Sequence, residues 1–255
     1  MTDPTGELTE DAFLGGQLRL RQRKSGHRAG HDAVLLAAAT PARSGQRVID
    51  FGAGVGAAGL SVARRVAGIE LVLVEIEAEL AELARDNARS NAIPAETIVL
   101  DLNAGAEAFA AMGLTPDSAD VVLMNPPFND PARHRASPEK TREIAHVATA
   151  ATLQGWIHAA RRTLKSGGVL SLIWRADGLA EVLAALDRGF GSLAILPVHG
   201  DPAAPAIRVL VRAIKGGKAP TRLYAALMLN NESGAPNKQV KEVLAGKGVL
   251  PLAIP

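Results

Sequence analysis

The sequence predicts an α/β fold: one doubly wound, mostly parallel sheet of seven strands with the last strand antiparallel. Three observations lead there. Between Arg47 and Ile214, short apolar runs alternate with longer segments whose apolar residues recur at helical spacing. Glycines cluster directly after the first of these runs, at Gly52, Gly54 and Gly56. The last two strand-like runs are joined by Gly200-Asp201-Pro202-Ala203-Ala204-Pro205, too short for a crossover helix, so that pair is antiparallel.

The elements follow in order. Residues 1–16 read as a loose tail. Leu18 and Leu20 alternate with Arg19 and Arg21, which suits a short strand. Asp32 is placed to cap an apolar helix over 33–39, which Pro41 closes. Arg47 to Phe51 is a buried strand, and the glycine turn leads into a helix over 57–66. Ile69 to Val74 is the next strand, ending in Glu75, with a helix over 77–90. A third strand over 97–100 ends at Asp101, a short helix covers 104–112, and a fourth strand runs from Ala119 to Met124. Asn129 to Lys140 reads as a polar loop. Beyond it come a helix over 149–164, a strand over 168–174, a helix over 179–186, and the antiparallel pair over 193–198 and 207–214. A further strand over 223–229 and a last helix over 238–244 complete the reading. Three regions result: an N-terminal tail and flanking segment (1–46), a core (47–215), and a C-terminal extension packed on the same body (216–255).

Composition narrows the function. Of 255 residues, 47% are apolar but only 3% aromatic, so the core rests on closely packed, alanine-rich helices. Cysteine is absent, which excludes disulfides and thiolate metal sites. His27 and His31 lie four apart in a loop without a third ligand, so no metal is expected. Asp3, Glu7, Glu10 and Asp11 break the amino terminus, which therefore does not read as a secretory signal. No uncharged apolar run approaches the ~18–20 residues that span a bilayer. A cytoplasmic location is the expectation. Net charge is only +2, yet Arg19, Arg21, Arg23, Lys24, His27 and Arg28 crowd into ten residues. Such a run is either a solvated face or a seat for a polyanion.

Two stretches carry chemistry. After the first strand, Gly52-Ala53-Gly54-Val55-Gly56 lets backbone approach a ligand, and the helix that follows adds N–H donors. Glu75, 21 residues after Gly54, can accept from two ribose hydroxyls, and Asp101 from an adenine amino group. Strand, glycines, helix, strand and acid together point to a nucleoside cofactor. The alternate-position glycines depart from dinucleotide spacing, which disfavours a nicotinamide oxidoreductase. The second stretch is Val121-Val122-Leu123-Met124-Asn125-Pro126-Pro127-Phe128: a buried strand halted by two prolines. It presents a side-chain amide, backbone carbonyls and a ring to a flat, amino-bearing group.

These residues resemble the motifs of Rossmann-like S-adenosylmethionine-dependent methyltransferases, and Asn-Pro-Pro-Phe resembles the subgroup that methylates amino or amide nitrogens. Gly26 to Leu36, and later Ala204 to Leu210, are similar to the bacterial tRNA(Val) adenine-N6 methyltransferase family. The resemblance covers roughly residues 13 to 215 and leaves the tail after Lys215 unplaced. It implies S-adenosylmethionine as cofactor, with Asp50, Gly52, Ala53, Gly54, Gly56, Glu75, Asp101, Asn125 and Asp32 toward it. It implies catalysis by Asn125, the Pro126 carbonyl and Phe128, the last stacking on the base. Phe128, Arg133, Arg135, Lys140 and Arg28 are the expected contacts to RNA, tRNA first among candidates. Other acceptors with the same chemistry are a guanine amine, a DNA adenine and a protein glutamine amide. A separate DNA-recognition domain has no room, and only about 46 residues precede Arg47 where glutamine-modifying relatives carry a helical domain. A non-catalytic RNA-binding protein on the same fold is the reading from another class.

Overall fold

The computed structural model describes residues 7–24, 28–127 and 139–254, and of 139–150 the backbone alone. Continuous apolar runs make strands that bury both faces. β3 (Arg47–Phe51), β4 (Glu70–Glu75), β5 (Ala95–Val99), β6 (Ala119–Met124) and β7 (Leu164–Arg175) run parallel. β9 (Ala206–Lys215) is antiparallel to β7 and to β8 (Phe190–His199), and inserts between them. The two-residue strands β10 (Arg222–Leu223) and β11 (Leu227–Met228) both pair with β8. The sheet therefore reads β10-β8-β9-β7-β6-β3-β4-β5, with β11 also on β8. The seven expected strands are all in it, and β9, the last of them, is the antiparallel one. The single strand expected over 223–229 is instead these two short pieces, so the sheet has nine strands.

Two layers of helices follow from the period-2 alternation of the strands. Val48, Leu71, Leu73, Val121 and Leu123 face one core. There they meet α1 (His31–Ala39), α2 (Ala57–Arg65), α3 (Ala78–Ser90) and α7 (Lys238–Leu244). Ile49, Val72, Val74, Val122 and Met124 face the other. That core is closed by α4 (Ala106–Ala111), α5 (Glu139–Thr163) and α6 (Leu179–Leu186). α5 begins ten residues before the position expected, and its first two residues, Glu139 and Lys140, fall where a loop was expected.

The amino-terminal expectation needs correction. Leu8–Phe13 is not a tail but β1, paired antiparallel with β2 (Leu18–Arg23) in a separate two-stranded sheet. Leu18 and Leu20 are fully buried beneath it. The acidic residues read as a polar tail face the basic run: Arg19 pairs with Glu10, Lys24 with Glu7 and Arg28 with Asp11.

Chain order reverses at β3, with β4 on one side and β6 on the other. In an open parallel sheet such a reversal leaves a crevice outside the carboxyl ends of the strands.

Candidate active site

The crevice is a cleft of about 390 Å³, within the range of small-molecule sites. Its walls are carboxyl-end residues: Asp50 near the end of β3, Gly52 and Gly54 after it, Glu75 at the end of β4, Asp101 after β5, and Asn125 and Pro127 after β6. A second groove, about 550 Å³, lies between α5 and α6. It holds none of the strand-end residues, so the chemistry is assigned to the smaller cleft.

The turn after β3 is tied down residue by residue. Ala53 N–H donates to Val74 O at 2.9 Å, and Gly56 N–H to Ala53 O at 2.8 Å. Gly54 N–H donates to Glu75 Oε2 at 2.7 Å, while Glu75 Oε1 accepts from Ile76 N–H (2.8 Å) and Glu77 N–H (3.0 Å). Three backbone donors thus orient one carboxylate, which still has lone pairs for a ligand. The glycines divide the labour. A Cβ on Gly52 would lie 2.2 Å from a ring carbon of Trp156, so this glycine lets the indole of α5 close over the turn. Gly56, at φ +87°, makes the left-handed step into α2 and packs on Leu60 and Leu73; it does not line the cleft. Only at Gly54, φ +56°, would an added Cβ enter open space.

Asp50 is 2% exposed, and its Oδ2 accepts from Gly59 N–H at 2.7 Å. Burial is the main force raising its pKa, from 3.8 to about 7; the Gly59 N–H works against that shift and the charge of Glu75 adds to it. Asp101 Oδ1 accepts from the backbone N–H and the side-chain amide of Asn103, so this carboxylate both stiffens its turn and lines the cleft.

At the end of β6, two prolines remove the donors that would extend the ladder. Asn125 Oδ1 is buried and, among the described residues, has no hydrogen-bond partner. Buried amide oxygens are rarely left so, and in a cleft wall an unmet acceptor marks where an N–H donor belongs. Pro126 is buried and does not line the cleft, whereas Pro127 does. Phe128, Arg133 and Arg135 lie outside the described residues, as does the side chain of Lys140.

Besides Gly56 and Pro126, two more expected site residues do not line the cleft. Asp32 does not cap its helix, since α1 starts at His31 with Gly30 at the cap. Its carboxylate accepts from Arg208 Nε at 2.9 Å, and it does not line the cleft. Arg28 is held in the hairpin, donating to Thr9 Oγ1 (3.0 Å) and Arg23 O (2.9 Å) besides pairing with Asp11. Its neighbour Ala29 lines the cleft instead. Missed by sequence were Trp156 and Thr152 of α5, which also form the wall. The one available signal was a tryptophan in a chain with two of them.

Among the described residues, no group of three His, Asp or Glu is placed to hold a metal, and no helix is long and apolar enough to cross a membrane.

Comparison with known proteins gives one family and several relatives. The methyltransferase small domain family matches residues 27–199. A tRNA1(Val) (adenine(37)-N6)-methyltransferase of Flavobacterium psychrophilum is 30% identical over 63% of this chain and 67% of its own length. The protein of the same name in Erwinia tasmaniensis is 27% identical over 80% of this chain and 82% of its own. A solved structure from Agrobacterium tumefaciens, described as a predicted O-methyltransferase, superposes with a TM-score of 0.72 at 34% identity. It covers 86% of this chain and 98% of that one.

Proposed function

The chain belongs to the methyltransferase small domain family and is an S-adenosylmethionine-dependent methyltransferase; we propose that it methylates an exocyclic base amine in RNA, adenine N6 of tRNA first. The observation that carries this reading is the buried Asn125 Oδ1 in the cleft wall, which has no hydrogen-bond partner among the described residues. The relatives' names support a tRNA substrate, and that substrate in turn implies a cytoplasmic location.

The residues present fit the cofactor. Glu75 offers a carboxylate fixed by three N–H donors, and Gly54 leaves room for close backbone approach. When bound, S-adenosylmethionine supplies an electrophilic methyl group on a sulfonium and a neutral thioether as leaving group. Glu75 is assigned to the ribose hydroxyls and Asp101 to the adenine amino group.

An exocyclic base amine is a weak nucleophile because its lone pair is delocalised into the ring. Asn125 Oδ1 accepts one of its hydrogens; the Pro126 carbonyl expected to take the other belongs to a residue that is buried off the cleft. The Asn125 contact favours a pyramidal nitrogen over the planar ground state, where stabilisation raises rate. Phe128 stacks on the base, worth about 1–3 kcal/mol. The base reaches this tip only when flipped out or already unstacked. The nitrogen loses its proton to water after transfer, so no dedicated base is required.

The test is labelled-methyl transfer to total tRNA, rRNA, DNA and protein, followed by nucleoside analysis. N6-methyladenosine from tRNA is the expected product. Label on guanine, ribose oxygen, DNA or glutamine overturns the substrate and keeps the cofactor; no transfer to any pool, with the cofactor bound, favours a binding protein. Replacing Arg133 and Arg135 together should raise the apparent substrate constant, leave cofactor affinity unchanged and lower the salt slope by about 2.

A further inference from the structure

Asn87 of α3 and Asn91, the cap at its carboxyl end, lie one turn apart, and both face the hairpin. Asn91 Oδ1 accepts from Arg19 N–H at 3.0 Å and its Nδ2 donates to Arg19 O at 2.7 Å. Asn87 treats Arg21 in the same way, at 2.8 and 3.0 Å. The spacings are commensurate: four helical residues rise ~6 Å and two strand residues ~6.7 Å. The two amides thereby serve as a neighbouring strand for the edge of β2 that β1 leaves open.

Asn87 goes further. Its other amide hydrogen goes to Val55 O at 3.0 Å, and Val55 belongs to the glycine turn and lines the cleft. Asn87 is 0% exposed, and both its donors and its acceptor are engaged. The hairpin also reaches the cleft at its other end, where Gln22 Oε1 accepts from the N–H of the cleft residue Ala29 at 2.9 Å.

We propose that Asn87 is a positioning residue that couples the β1–β2 hairpin to the cofactor turn, so that cofactor binding and hairpin order reinforce each other. One amide group holds the Val55 carbonyl and the Arg21 peptide together. A hairpin that loosens releases the carbonyl, and a turn fixed by ligand fixes the amide that clamps the hairpin. Such a linkage is reciprocal by thermodynamic necessity. Asn91 is the internal control, because it clamps the same strand but does not touch the turn.

The experiment measures S-adenosylhomocysteine affinity by calorimetry, and hydrogen exchange at the Arg19 and Arg21 amides with and without that ligand, in the whole chain. In the wild type the ligand should slow exchange in the hairpin. Asn91→Ala should speed exchange at Arg19 and leave the dissociation constant within about twofold, since no cleft contact is lost. Asn87→Ala should speed exchange at Arg21 and raise the dissociation constant about tenfold, the equivalent of ~1.4 kcal/mol. It should also abolish the slowing by ligand, which a purely structural role would preserve. Should Asn87→Ala fail to fold, Asn87→Asp is read the same way: it keeps the acceptor for Arg21 N–H and lacks both donors. An Asn87 variant with wild-type affinity, or with hairpin exchange still slowed by ligand as in the wild type, overturns the coupling.

Discussion

In the turn after β3, Ala53 N–H, Gly54 N–H, Val55 O and Gly56 N–H each have a partner inside the protein. In the tip after β6, Asn125 presents a buried oxygen that has none among the described residues. Both loops leave the carboxyl ends of adjacent strands and meet in the same cleft. The difference separates two tasks. A site that must recognise a large cofactor by shape is fixed before binding, which limits the ordering entropy left for the ligand. A group that must favour a transition state is kept unmet, so that its hydrogen bond forms with the reacting amine rather than with the fold.

The strongest way to break this contrast is Asn125→Ala. Transfer should fall by about 10²–10³ in kcat, as for the loss of a transition-state hydrogen bond. Cofactor affinity should stay within about twofold and thermal stability should not drop, because Asn125 Oδ1 has no hydrogen bond to lose among the described residues. A lower Tm or an equal loss of cofactor binding would make Asn125 a structural residue. Glu75→Ala should do the opposite. Cofactor affinity should fall roughly 10- to 100-fold, and stability should fall too, since three N–H donors lose their acceptor at ~1–3 kcal/mol where buried. Calorimetry and melting curves on one preparation decide it.

A finer cut compares two glycines. Gly52→Ala should destabilise the protein, because its Cβ collides with Trp156. Gly54→Ala should cost only about 1 kcal/mol of left-handed strain, yet weaken cofactor binding by filling the open space. Matched effects on Tm and affinity in the two variants would erase the distinction.

A last expected effect concerns pH. Asp50 titrates at about 7 in the folded protein, chiefly through burial, and at 3.8 in the reference state. Between those values the folded state holds a proton that the unfolded state has lost. The stability contributed by the protonated carboxyl is thus complete below about 3.8 and is lost as pH rises through about 7. Unfolding free energy from pH 5 to 7 should decline more steeply in the wild type than in Asp50→Asn. Parallel profiles would place the titration elsewhere.

The parts of this molecule that the sequence discloses are those set by local pattern. β4 and β6 carry unbroken apolar runs and β3 is apolar around Asp50, and Asp50, Glu75, Asp101 and Asn125 stand at or near the carboxyl ends of strands, where a doubly wound sheet puts its ligands. What stayed hidden depends on partners distant in the chain. β1 shows no alternating apolar pattern of its own, and its pairing along the whole of β2 places it. Through its ion pairs the crowd of positive charge near the amino terminus is largely compensated, and Arg28 is a strut of the hairpin. Asp32 was misread because Arg208, 176 residues away, is its partner. Trp156 reaches the cleft from the middle of α5, whose periodicity says only that some face is buried.

That same indole gives the protein an optical reporter. Of its two tryptophans, Trp174 is sealed in the sheet at 0% exposure, while Trp156 is half-buried in the cleft wall above Gly52. Emission from Trp174 supplies a constant background, and emission from Trp156 should shift or quench when an adenine-bearing ligand displaces water from the cleft. Trp156→Phe should remove the ligand-dependent signal and leave the blue-shifted remainder. Occupancy of the cleft then becomes a fluorescence titration on the unlabelled native chain.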